Sequence, residues 1–195
     1  MNKLKRNGMG LAAGLLASTS VSAHTGIGTV AGFSAGLMHP LLGLDHLLVM
    51  VATGLWAVYL GGRAIVLLPL AFIALMTAGA TLGFMGYVLP YAEWIIALSV
   101  LTLGLALWRG WQSPSLLAGG LTAFFALFHG YVHAAEIGEV SEAAYTYALG
   151  FLLTTALLHG VGMGLGLISG ASGWKRKAYG LFCTGAGLYW LLQGI

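Results

Sequence analysis

The chain has 195 residues, 59% of them hydrophobic and 7% charged, and a mean hydropathy of +0.92. Soluble domains carry about 25% charged residues, so these charges cannot cover a water-facing surface, and the composition excludes a soluble globular protein in favour of an integral membrane one. The net charge of +3 gives no case for nucleic-acid binding, because all eight Lys and Arg lie near the N-terminus or at the ends of apolar runs, and the lone Cys183 excludes an intramolecular disulfide.

The first 23 residues read as an export signal. "MNKLKR" is a basic stretch and "GMGLAAGLLA" a short apolar one. "VSA" closes it, with Val21 and Ala23 at −3 and −1 of a cut before His24. The other reading is an uncleaved N-terminal anchor. Cleavage would leave a free amine on His24, outside the cytoplasm.

Apolar runs then follow at 27–60, 64–89, 94–108, 115–133, 145–169 and 178–194. The breaks between them alternate. Those at 61–63, 109–114 and 169–177 carry Arg63, Arg109 and Lys175-Arg176-Lys177, while those at 90–93 and 134–142 carry only Glu93, Glu136, Glu139 and Glu142. Basic loops stay in the cytoplasm, so each run crosses once and both mature termini lie outside. The pattern predicts one all-α domain over 24–195, a polytopic membrane bundle of six transmembrane helices with a broken or re-entrant first segment. The 34-residue first run exceeds the roughly 20 residues a span needs, and Pro40 and Gly43 interrupt it. The expectation is a partial helix over 27–38 and a main span over 44–60. Glycines four apart (Gly28, Gly32 and Gly36; Gly79 and Gly83; Gly162, Gly166 and Gly170) allow close helix approach, within one bundle or across a homo-oligomer face.

Ionisable groups inside spans are costly and face the bundle interior. They are His39, Asp45 and His46 in "HPLLGLDH", His129, His133 and Glu136 in "FHGYVHAAE", and His159. His129, His133 and Glu136 share one helical stripe, and two imidazoles with a carboxylate suit a divalent metal or a proton relay. His39 and His46 would stand about 10 Å apart along a straight helix. Either the Pro40–Gly43 break folds His39 back, or the rings serve successive stations. Asp45 would orient an imidazole, lower the cost of a cation, or ligate directly. His159 is a secondary candidate, weighed evenly between packing residue and ligand.

The H-x5-D-H element together with F-H-G-x-x-H-x-x-E resembles the HupE/UreJ family of nickel permeases. His39, Asp45 and His46 match the first motif, and Phe128, His129, Gly130, His133 and Glu136 the second. Where the family often has glycine, this chain has Ala134. The resemblance implies secondary uptake of Ni²⁺, or of Co²⁺, across the bacterial inner membrane to supply hydrogenase or urease, with the ion as substrate and no tightly bound cofactor. The residues agree in part. No Walker motif is present, and imidazole with carboxylate suits borderline divalent ions. His24 would collect metal at the outer mouth, and Glu93, as a secondary candidate, and Glu136 would lie on the same face. Two rivals are an intramembrane zinc hydrolase, for which Ser34 is the serine nearest His39 in sequence, and a haem-binding membrane cytochrome.

Overall fold

The structure is a computed structural model that describes residues 32–137, 142–169 and 173–194. The expected signal peptide, His24 and Glu139 fall outside these residues, as do the side chains of Glu136 and Glu142. Among the described residues there are seven helices: α1 (Gly32–Leu42), α2 (Leu44–Leu60), α3 (Ala64–Phe84), α4 (Ala92–Arg109), α5 (Ser115–Ile137), α6 (Glu142–Ser169) and α7 (Trp174–Gln193). No strand occurs among the described residues. The architecture is all-α, as the long apolar runs predict. In lipid, backbone N–H and C=O groups must be satisfied within the segment, and a helix does this.

Among the described residues four helices, α3 to α6, are long and apolar enough to cross a membrane, and α1 with α2 passes as one broken span bent by 80°. This is a multi-pass membrane protein. The last run forms α7, whose 20 residues extend about 30 Å. Lys175, Arg176 and Lys177 occupy its first turn. The six apolar runs thus correspond to six helical segments, counting the bent pair once.

The boundaries differ from the expectation in three places. Of the two expected interruptions, Pro40 lies inside α1 and the chain breaks at Gly43 (φ −82°, ψ 106°), with the main span starting at Leu44 as expected. Pro40 is buried three residues before the break, so α1 runs on to Leu42 and the expected 27–38 helix ends too early. The α5 helix continues past His133 to Ile137, and α6 starts at Glu142 rather than at 145. Hydropathy marks only the apolar part of a helix, and Ala and Glu are good helix formers that prolong it.

Packing follows the glycines. The most extensive pairs are α3 on α5, α4 on α7, α1 on α6 and α2 on α6. A Cβ at Gly79 would lie 1.8 Å from the Leu127 carbonyl oxygen, and one at Gly130 would lie 1.8 Å from that of Met76. The same closeness joins Gly36 to Tyr147 and Gly162 to Val51. These glycines face neighbouring helices of the same chain, as small residues do in close membrane packing.

One end of the bundle is tied by polar contacts. The Arg176 guanidinium lies 4.2 Å over the Tyr59 ring and donates to the Leu107 carbonyl. Tyr59 donates to the Gly110 carbonyl, and the Trp56 indole donates to that of Trp111. The loop between α4 and α5 is therefore pinned against α2 and α7. At the other end, Tyr91 adopts a left-handed conformation (φ 60°) and turns the chain into α4. Glu93 falls in the first turn of that helix, where its carboxylate complements the helix dipole.

Candidate metal centre

The 80° bend at Gly43 decides the site. It folds His39, in the last turn of α1, back over the start of α2. His39 and His46 then both meet His133 of α5, with ring centroids 4.7 Å and 4.2 Å away. His46 also meets His129 at 4.6 Å. Four imidazoles from three helices therefore form a continuous chain of ring contacts: His39, His133, His46, His129. His46, His129 and His133 are buried, and His39 and Asp45 are half-buried. Of the two arrangements the sequence left open for His39, the structure takes the folded-back one.

Phe151 packs 4.4 Å from His133, and the Tyr147 ring lies 5.8 Å from His39. These rings hold the cluster on the α6 side. An almost wholly apolar cavity of about 70 Å³ adjoins His133 between α3, α5 and α6, with Met76, Thr77, Ala148 and Phe151 among its walls. Ala134 fits beside the cluster because Gly83 stands opposite. A Cβ on Gly83 would come 2.7 Å from the Ala134 methyl. The departure at Ala134 is thus accommodated locally.

The nitrogens are oriented. Asp45, in the first turn of α2, accepts through Oδ1 from the His46 amide at 2.7 Å and from His46 Nδ1 at 2.6 Å. A carboxylate only accepts, so Nδ1 carries the hydrogen and Nε2 is the lone-pair nitrogen of a neutral His46 ring. Such a carboxylate–histidine pair fixes tautomer and ring orientation in metal sites.

A second group orients His129. Ser99 of α4 is fully buried and donates to the Ile96 carbonyl at 2.6 Å. Its oxygen also stands 3.0 Å from His129 Nε2. The serine has one hydrogen, and the carbonyl can only accept it, so the ring is the donor in the second bond. His129 is thereby set as the Nε2–H tautomer, and its buried Nδ1 lone pair has no hydrogen-bond partner. Nothing in the sequence marked Ser99, which lies thirty residues before His129 in an ordinary apolar run.

The remaining candidates divide. Glu93 is half-buried at the start of α4. Glu136 lies on α5 one turn beyond His133, with its side chain outside the described residues, and His24 lies outside them altogether. His159 stays off the ring cluster and packs against Phe72 at 5.0 Å. Ser34, the serine nearest His39 in sequence, is exposed. Ser99 is the serine at the cluster, yet its bond to His129 runs opposite to a nucleophile–base pair, in which the hydroxyl donates to the ring. Among the described residues no three His, Cys, Asp or Glu side chains are placed to hold one metal ion together. The rings touch one another instead of surrounding a prepared cage.

Comparison with known proteins places this arrangement in context. The family described as HupE / UreJ protein matches residues 11–190 of the chain. "Protein HupE" of Rhizobium leguminosarum bv. viciae is 45% identical over 144 residues, which cover 73% of this chain and 75% of that protein. No solved structure matches the chain.

Proposed function

The chain belongs to the HupE/UreJ family, and we propose that it is a permease carrying Ni²⁺, with Co²⁺ as a second cargo, across the bacterial inner membrane for the maturation of hydrogenase or urease. The observation that carries this reading is the unbroken contact of His39, His133, His46 and His129 within the helical bundle. Imidazole nitrogens backed by Asp45 suit a borderline divalent ion. Transport needs binding loose enough for release, and a few imidazoles with a weak carboxylate suit that better than a thiolate cage.

In this reading residues 1–23 are an export signal and the basic loops face the cytoplasm, which puts both mature termini in the periplasm. His24, Glu93 and Glu136 gather the ion at the outer mouth. His39 and His133 receive it, and His46 and His129 take it on through the lone pairs that Asp45 and Ser99 set. The rings turn apart to admit the ion and close behind it.

The test uses purified protein in proteoliposomes loaded with chelator and supplied with ⁶³Ni²⁺. Wild-type protein is expected to raise influx well above empty vesicles, with unlabelled Co²⁺ competing. His46→Ala and His133→Ala are expected to reduce influx at least tenfold with normal insertion. Wild-type influx no greater than that of empty vesicles would overturn the proposal.

A further inference from the structure

We propose that Thr53, Thr122 and His159 form a second resting place for the hydrated divalent cation, deeper in the bundle than the ring cluster and separated from it by Phe72. The inference rests on the transport reading above and adds an inner station to it.

The first observation is geometric. The faces of α2 and α5 that meet at His46 and His129 carry Thr53 and Thr122 seven residues further toward the end bearing Arg63 and Arg109. Two helical turns of displacement are about 10 Å, and the two helices run in opposite directions, so the threonines stand at matching depth. The backbone of His159 abuts the residue next to Thr53, since a Cβ at Gly54 would lie 2.1 Å from the His159 carbonyl oxygen. The fully buried Phe72 ring bridges the two levels, 5.9 Å from His129 and 5.0 Å from His159.

The second observation is chemical. Thr53, Thr122 and His159 are all essentially inaccessible, yet Thr53 Oγ1, Thr122 Oγ1 and both ring nitrogens of His159 have no hydrogen-bond partner. Threonines in membrane helices ordinarily donate back to the carbonyl four residues earlier. Thr77, Thr81, Thr155 and Thr184 all do so here, at 2.7–2.9 Å. Thr53 and Thr122 do not. Buried polar groups without partners are rare in folded proteins, and each calls for a reason. Three of them at one depth, on faces continuous with the histidine cluster, supply one imidazole and two hydroxyls. That set is too weak for a tight metal site. It suits an ion that keeps part of its water shell, with hydroxyls taking hydrogen bonds from that water and the imidazole ligating directly.

The test separates binding from passage. Ni²⁺ binding to the purified full-length protein is measured calorimetrically, and ⁶³Ni²⁺ influx is measured in proteoliposomes, for wild type, His159→Phe and the double variant Thr53→Val/Thr122→Val. An inner station predicts that influx falls at least tenfold in His159→Phe and at least threefold in the double variant, while outer-site affinity stays within twofold. Influx within twofold of wild type in both would overturn the proposal, as would affinity and influx falling in step. If His159→Phe fails to fold, the near-isosteric double variant decides by the same criteria. Absence of wild-type influx would sink the transport reading itself, a result distinct from either.

Discussion

Replacing Ser99 with alanine isolates the tautomer argument from the ligands themselves. The substitution removes one oxygen from a fully buried position and creates little void. It also removes the acceptor of the 3.0 Å bond from His129 Nε2. A buried N–H left without a partner costs about 1–3 kcal/mol. With neither nitrogen then facing an acceptor, the ring loses the bond that favoured Nε2–H, and the Nδ1–H tautomer becomes comparably populated. Either way the ligating form of His129 is disfavoured by about the same 1–3 kcal/mol, which at about 1.4 kcal/mol per decade is an effect of roughly five- to 140-fold. That range agrees with the losses seen when partners of metal-binding histidines are removed. We therefore expect Ser99→Ala to lower ⁶³Ni²⁺ influx by about ten- to hundredfold while the protein inserts and melts nearly as wild type. The decisive readout is ¹⁵N NMR of labelled histidine, with His129 assigned by substitution. Wild type should show the Nε2–H form and Ser99→Ala a shift toward Nδ1–H. Unchanged tautomer and influx within twofold of wild type would show that Ser99 does not set the ligating form of His129.

Two further predictions concern packing. Gly130→Ala forces a methyl to within 1.8 Å of the Met76 carbonyl oxygen, so α3 and α5 must separate, and overpacking of this kind costs about 1–3 kcal/mol or more. Thermal melting in detergent should fall clearly, whereas Gly120→Ala, an exposed site with nothing within 4 Å, should hold or rise by up to about 1 kcal/mol from helix propensity; equal melting of the two variants would contradict the close-approach argument. Arg176→Ala removes the donor to Leu107 and the cation over Tyr59, and should destabilise the fold by about 1–3 kcal/mol while influx per folded molecule stays near wild type. A loss of transport without loss of stability would instead place Arg176 in the pathway.

The case of Arg176 shows where reading a sequence stops. Lys175, Arg176 and Lys177 look alike as a basic cluster that sets topology, yet Arg176 is buried between α2 and α4 while its two neighbours are exposed. Helical phase and the position of Tyr59 separate them, and neither is visible in a charge count. Pro40 gives the converse lesson. As a helix breaker it marked the right region, but the break falls at Gly43, and the proline rides inside α1.

Local residue patterns were enough for the bilayer setting, the all-α architecture, the six helical segments and the pairing of His129 with His133. Each of these depends on local quantities, namely the apolarity of a run, the sign of a loop and the 3.6-residue period. Tertiary packing alone settled that His39 and His46 meet at His133, that Ser99 orients His129, and that Thr53, Thr122 and His159 are buried without hydrogen-bond partners. Those facts depend on an 80° bend and on how helices distant in the chain pack side by side. Close packing fixes such angles through many small contacts at once, and no short stretch of residues carries that information.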